Sequence, residues 1–231
     1  MLVVSNIDLT SNVRVMKPAK FLASKIQDAT LNISNDYRYM KTGYYVSLHA
    51  EILGNQVIPS CENIIDANRI PILLLRAARA KISTMPFVVT DSVKKIASEL
   101  GFPVVIFAVN PFIHEGYRIA DNKTALYRAV KSLGMNYKFA VCAQPLRGKM
   151  VSCKSFFGKC DEQDAGIKAI SERVYNLFKI PICVLHIQKV DGGTYLSGLQ
   201  TIGKADLSPS DLRTISREAS RFTKQGEAIS G

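Results

Sequence analysis

Residues 37–60, YRYMKTGYYVSLHAEILGNQVIPS, decide how the rest of the chain is read. The run packs Arg38 between Tyr37 and Tyr39, adds Gly43, Tyr44 and Tyr45, and then takes on a helical rhythm. Tyr44, Leu48 and Ile52 fall at i, i+4 and i+8, with Tyr45 and His49 on the adjacent face, which predicts a helix over 43–53. Gly54 and Asn55 close it, since both tolerate the left-handed conformation that ends helices. Residues 56–58 then predict a short strand.

Working outward, 2–4 and 30–33 predict two further strands. Between them Pro18 suits a first helical turn, where its missing N–H costs nothing, and AKFLASKIQD continues with a helical period. The segment SNDYRY after the second strand is a turn by composition, because Asn and Asp bond their own backbone. The order β-α-β-α-β implies an α/β fold with a Rossmann-like parallel sheet and right-handed crossovers. Ligands of such sheets bind at the carboxyl ends of the strands. That rule makes Asn35, Tyr37, Arg38, Tyr39 and Ser60 the candidate substrate- or partner-binding residues. Arg38 leads them: its planar fork of donors suits a carboxylate or a phosphate. The alternative is an arginine stacked on tyrosines for packing alone. Tyr44 and Tyr45 read as core rings with their hydroxyls at the surface edge.

The remainder predicts a helix over 64–81 interrupted at Pro71, a strand over 87–89, a helix over 91–100 capped by Thr90 or Asp91, and a buried strand over 104–109. A loop with His114, Glu115 and Arg118 follows, then a helix over 122–133 and a strand over 137–143. Beyond these come a strand over 151–156, a helix over 164–177, and strands over 182–190 and 194–201 joined through Asp191-Gly192-Gly193, a hairpin signal. Ser208-Pro209 opens a last helix to about residue 222. The shift from alternation to paired strands divides the chain into an N-terminal unit, 1–60, an α/β portion with C-terminal antiparallel strands, 61–225, and a flexible polar tail, 226–231. The first two could also form one continuous domain.

Composition narrows the function classes. Apolar residues make up 47% and charged residues 21% of the 231, as in an ordinary globular protein. No apolar run reaches the roughly 18 residues of a membrane span, and the N-terminus lacks the basic region of a signal peptide. The cytosol is the expected compartment. The five cysteines form no CxxC pair, and several sit in apolar runs as buried thiols do. The three histidines are scattered, so no metal site is expected. The net charge of +11 is spread along the chain. It suits solubility or anionic substrates better than nucleic acid, which prefers clustered charge, but nucleic-acid binding stays open.

Phosphate and nucleophile signatures are missing: there is no GxxxxGK[ST], GxGxxG or GxSxG. The basic, aromatic run KSFFGK over 154–159 makes Lys154 and Lys159 secondary anion-binding candidates, or else is a strand ending in a glycine turn. Asp161 and Asp164 suit a helix N-terminus without any catalytic role.

Two stretches carry a family resemblance. YRYMKTGYYVSLHAEILGNQVIPS over 37–60, and SFFGKCDEQDAGIKAISERVYNLFKIPICVLHI over 155–187 with the later YLSGLQTIGKADLSP, resemble the RimK-like ATP-grasp N-terminal domain. In that family the domain precedes an ATP-grasp half that joins a carboxylate to an amine through an acyl phosphate, using ATP and magnesium. The resemblance implies a stand-alone version of the N-terminal module. Residues 68–107, ending in PVVIF, also look like the entry to an ATP-grasp fold. That pattern implies a phosphate-binding lysine where Phe107 stands, and acidic metal ligands on the strand that here holds Gly198, Leu199 and Gln200.

The sequence therefore points to a non-catalytic substrate- or partner-recognition module of a RimK-like ligase system. Its expected partners are a separate ATP-grasp ligase and an amino-acid or peptide substrate, with ATP and magnesium reached only through that ligase. The alternatives are a minimal ATP-dependent ligase acting alone and a basic nucleic-acid-binding protein.

Overall fold

The computed structural model describes residues 1–9, 14–110 and 116–227, with side chains to Lys224. His114 and Glu115 of the expected loop, and 228–231 of the expected tail, lie outside the described residues.

Strand β1 (Leu2–Ser5) is buried along its whole length, as is β3 (Thr30–Ile33). Strands covered on both faces belong in a parallel sheet. The two pair parallel, from Leu2 opposite Thr30 to Ser5 opposite Ile33. A two-residue strand, β2 (Val15–Met16), joins the outer edge of β1, and β4 (Val57–Ile58) joins β3, giving the all-parallel order β2-β1-β3-β4. Helix α1 (Pro18–Leu22) and helix α2 (Thr42–Ile52) make the crossovers. The parallel α/β unit is the expected one, with β2 as an addition too short for its pattern to show.

Two expectations change here. The helix opened by Pro18 stops at Leu22 rather than running through 29, because Ser24 turns back and its hydroxyl donates to Phe21 O at 2.8 Å. Helix α2 turns a different face inward. Gly43, Val46, Ser47 and Ala50 are buried, whereas Ile52 is 74% exposed. Small residues win because the helix lies close on β3: Asn32 Nδ2 donates to Gly43 O at 2.7 Å and to Ser47 Oγ at 2.9 Å.

Helix α3 (Cys61–Ala67) and helix α4 (Ile70–Arg79) follow, parted at Asn68 with Pro71 in the first turn of α4, where a missing N–H is tolerated. A second sheet then forms from β5 (Val88–Thr90), β6 (Val104–Ala108), β7 (Arg118–Ala120) and β8 (Val141–Pro145), antiparallel in the order β5-β8-β6-β7. Helix α5 (Val93–Leu100), capped by Ser92 rather than Thr90 or Asp91, and helix α6 (Lys123–Leu133) cover one face of it. The strand expected over 137–143 begins only at Val141. Met135, Asn136 and Tyr137 have φ of 51, 56 and 61°, a left-handed turn that no strand can contain.

The third sheet is an antiparallel meander of β9 (Lys149–Phe156), β10 (Ile182–Val190) and β11 (Gly193–Gln200), with helix α7 (Ala165–Phe178) between β9 and β10. The turn through Asp191 and Gly192, at φ +89°, closes the expected hairpin. Helix α8 (Pro209–Glu227) ends the described chain.

Period-two alternation assigns the core. Leu2 and Val4 face Phe21, Val46 and Ala50, while Val3 faces Phe156, Ile182 and Ile215 of the third sheet and α8. Val104 and Ile106 pack under α5 and α6, while Val105 and Phe107 face the opposite way. That opposite face joins a central core with Leu73 and Leu74 of α4, Phe178 of α7 and Leu185 of β10. Each such side chain stabilises the fold by about 1.5–3 kcal/mol. Among the described residues no helix is long and apolar enough to cross a membrane.

Candidate functional site

The carboxyl ends of β1 and β3 form an edge built from Asn6, Ser34, Asn35 and Asp36. Asn6 Nδ2 donates to Asn35 Oδ1 at 2.6 Å, and Asn35 Nδ2 donates to Ile202 O at 3.1 Å, so Asn35 ties this edge to the segment after β11. Arg38 folds back on Asp36: Nε donates to Oδ1 at 2.8 Å and Nη2 to Oδ2. Burial alone would raise the Asp36 carboxyl. The Arg38 hydrogen bonds and charge outweigh it and hold the group below its ordinary 3.8. Tyr39 is 43% exposed, and its ring meets Tyr44 edge-on at 5.2 Å, which in turn meets Tyr45 at 5.7 Å.

One of the sequence candidates is turned away from this surface, and another is engaged as a helix cap. Tyr37 is 1% exposed, and its hydroxyl accepts from Ser34 N at 2.8 Å and donates to Asn32 O at 2.9 Å. The alternation of the YRY triplet turns this ring into the core, where it braces the end of β3. Ser60 caps α3, its hydroxyl accepting from Asn63 N at 3.2 Å. Asn35, Arg38 and Tyr39 remain together at the strand ends.

The secondary anion candidates are already matched by carboxylates. Lys154 Nζ donates to Asp211 Oδ2 at 2.7 Å and to Asp206 O at 2.6 Å. Lys159 Nζ donates to Glu218 Oε2 at 2.6 Å. Both lysines lash β9 and its following turn to α8.

Where the second and third sheets meet, residues from four strands converge. Phe107 of β6, Tyr117 just before β7, and His186 of β10 form a ring cluster, with Tyr117 edge-on to His186 at 5.0 Å and Phe107 5.8 Å from Tyr117. His186 sits between Ser152 of β9 and Gln200 of β11: Nδ1 is 2.9 Å from Ser152 Oγ and Nε2 is 3.0 Å from Gln200 Oε1. Burial lowers the His186 pKa below its ordinary 6.5, against an opposing contribution from Gln200, so the ring is neutral at pH 7. A neutral ring fits its neighbours when Nε2–H donates to the Gln200 amide oxygen and Nδ1 accepts from the Ser152 hydroxyl. Glycines allow the approach. A Cβ on Gly198 would stand 2.7 Å from the Phe107 ring, and one on Gly116 would stand 2.4 Å from Gln200 Oε1. Sequence reading passed over Ser152, Tyr117 and His186 as a group. The one available signal was a histidine at a buried register of IPICVLHI.

A sequence model of the RimK-like ATPgrasp N-terminal domain matches residues 19–218. This chain belongs to that family. Among solved structures, the D-alanine–D-alanine ligase of Bacillus anthracis is similar at TM-score 0.65 and 15% identity, with 98% of each chain covered. A RimK domain protein ATP-grasp from Sphaerobacter thermophilus is similar at TM-score 0.63 and 16% identity, over 94% of this chain and 98% of that one. The ATP-grasp ligase PsnB, complexed with a phosphomimetic variant of its minimal precursor, Mg and ADP, is similar at TM-score 0.58 and 14% identity, over 87% and 88%. These likenesses show the fold: the three sheets of this family member are arranged as in ATP-grasp ligases over nearly the whole chain. No curated protein sequence matches it.

Proposed function

We propose that this chain is a non-catalytic substrate- or partner-recognition module of a RimK-like ATP-grasp carboxylate–amine ligase system. The observation that carries the reading is the packing of Phe107, His186 and Gln200 at the meeting of the two antiparallel sheets. By resemblance, a phosphate-binding lysine belongs at Phe107 and acidic metal ligands belong on the strand of Gly198 and Gln200. The residues present do not fit those groups. Phe107 brings a ring without charge, Gly198 has no side chain and the Phe107 ring fills its Cβ position, and Gln200 Oε1 is engaged by His186. Hard cations such as magnesium are held through carboxylates and phosphates, neither of which this cluster supplies. ATP and magnesium are accordingly assigned to a partner ligase.

The substrate side of the reading rests on the strand ends. Arg38 is the proposed carboxylate anchor, flanked by Asn35 and the exposed Tyr39, and a ligand carboxylate would take the place of Asp36 on its fork. PsnB, similar in fold, has been seen with a precursor peptide, which supports an amino acid or peptide as the substrate of the system. Five free cysteines support a reducing compartment, and the cytosol is the proposed one.

Thermal unfolding with and without magnesium-ATP tests the reading, since a ligand favouring the folded state raises the apparent stability. The expected result is no nucleotide-dependent rise. A saturable rise would replace this reading with that of a minimal ligase acting alone.

A further inference from the structure

We infer that the cavity enclosed by the turn after β9, α7 and α8 is a binding site for a free aromatic α-amino acid that carries a ring hydroxyl. The site shares no residue with the strand ends of the first sheet and does not rest on the recognition role proposed for Arg38.

The run KSFFGK supplies its rings. Phe157 and Gly158 both take left-handed φ, +53° and +80°, in a tight turn closed between Phe156 and Lys159. A Cβ on Gly158 would stand 2.9 Å from Tyr175 Cβ, so the turn lies directly on α7 and sets the Phe157 ring 5.9 Å from the Tyr175 ring. Together with Phe156 these rings line a cavity of about 580 Å³, within the range of small-molecule sites. Rings of this kind receive another ring edge-on or offset, which favours an aromatic ligand.

The polar lining narrows the class. Tyr175 Oη is buried and has no hydrogen-bond partner among the described residues. Burial, with the Glu218 charge nearby, pushes this phenol up to about 12, so it holds its proton at pH 7. Glu218 itself is engaged by Lys159, Arg217 and Arg221. A buried donor without an acceptor is unfavourable, and a ligand hydroxyl oxygen supplies the acceptor. Five charged side chains complete the lining, Lys159, Lys168 and Arg217 against Asp161 and Glu172. Lys159 is taken by Glu218, whereas Lys168 has no partner among the described residues and Arg217 engages Glu218 through Nε alone. Those two cations suit a carboxylate. Asp161 and Glu172 are likewise without partners, and they suit an ammonium. A zwitterion answers both sets, which a plain aromatic acid or amine does not. Lys168, Glu172 and Tyr175 also fall one turn apart on α7 and share a face, in the order in which such a ligand carries carboxylate, ammonium and ring hydroxyl.

The test uses the full chain and ligand-observed NMR titrations with L-tyrosine, L-phenylalanine, tyramine and p-hydroxyphenylpropionate. Each is run on wild type and on Arg38→Ala, the latter removing carboxylate capture at the strand ends. In the Arg38→Ala protein L-tyrosine is expected to bind saturably and about threefold or more tighter than L-phenylalanine. Tyramine and p-hydroxyphenylpropionate, each lacking one charge, should bind more weakly than L-tyrosine. Adding Tyr175→Phe should erase the preference for tyrosine while phenylalanine still binds. Adding Lys168→Glu, which reverses a charge, or Thr214→Trp, which fills the cavity, should weaken tyrosine binding by about tenfold or more. The inference is overturned if L-tyrosine binds neither protein, or if Lys168→Glu and Thr214→Trp both leave its binding unchanged. A preference for tyrosine that survives Tyr175→Phe overturns it as well. Binding present in wild type but lost in Arg38→Ala would assign the ligand to the strand ends, which overturns this site and supports the anchor role of Arg38.

Discussion

His186 Nε2 lies 3.0 Å from Gln200 Oε1, and the contact joins neighbouring strands at a point where a Cβ on Gly116 would strike the same oxygen. The histidine is 4% exposed and its pKa is lowered by burial, so the neutral ring is the form the fold is built around. In the unfolded chain the same ring binds its proton near 6.5. Unfolding therefore takes up a proton below that value, and the His186 contribution, complete above pH 6.5, is lost as pH falls from there toward the lowered folded value. Urea titrations at a series of pH values should show this decline, and His186→Gln should flatten it. Gln200→Leu, which leaves a buried N–H without its acceptor, should cost about 1–3 kcal/mol at neutral pH.

Asp36 and Arg38 make a bidentate pair with both side chains largely shielded. Asp36→Asn should lower stability by roughly 1 kcal/mol and release the guanidinium. If Arg38 is a carboxylate anchor, that variant should bind amino-acid or peptide carboxylates more tightly than wild type, while Arg38→Ala binds them less. Calorimetric titration separates the two. Identical binding in wild type and Arg38→Ala would remove the anchor role. Because the Asp36 carboxyl is held below 3.8, its contribution to stability is present above that pH and disappears as pH falls through the lowered value.

How far such pairs can be seen in a sequence depends on which forces set them. The parallel unit was legible because Leu2–Val4 is a continuous apolar run and Leu31 and Ile33 alternate with polar residues in Thr30–Ile33, the whole punctuated by Gly54-Asn55 and by the Asn-Asp turn. The inward face of α2 was not. Its large residues form the more obvious stripe, but the close approach to β3 selects Gly43, Val46, Ser47 and Ala50. The left-handed turn at Met135–Tyr137 hid behind a strand-like composition. The His186 cluster offered no signal beyond a histidine at a buried register, since Ser152, Tyr117 and Gln200 reach it from separate parts of the chain. Arg38 stood out as a candidate, but its partner Asp36, two residues away, was read only as a turn residue.

Glu218 is a buried carboxylate shared by Lys159, Arg217 and Arg221, whose own side chains are mostly in water. Burial alone would raise its pKa, but Lys159, with the arginines, outweighs burial and holds it below 4.5. Removing one exposed cation should matter little, and Lys159→Ala should cost about 0.5–1 kcal/mol. Glu218→Leu leaves three cations around an apolar site and should cost more, roughly 2–3 kcal/mol. Chemical denaturation of the two variants checks the order. Raising the salt concentration should narrow the gap, because the cations are screened in the variant.

Gly43 and Gly54 bracket α2 and should respond to alanine for opposite reasons. A Cβ on Gly43 would stand 2.4 Å from Asp36 O and 2.8 Å from the Ser34 side chain, so the helix or the strand-end turn must move. The loss should be about 2–3 kcal/mol, as for overpacking a tight core. The motion should also disturb the Asp36–Arg38 pair, since Asp36 O is the atom struck. Gly54 has open space around its Cβ position but a φ of +78°, so Gly54→Ala carries only the left-handed penalty of about 1–2 kcal/mol. Thermal melts give the stability order. Arg38-dependent carboxylate binding, measured in both variants, should be impaired in Gly43→Ala and preserved in Gly54→Ala. Equal effects of the two glycines on binding would mean that the strand-end turn is not set by the approach of α2.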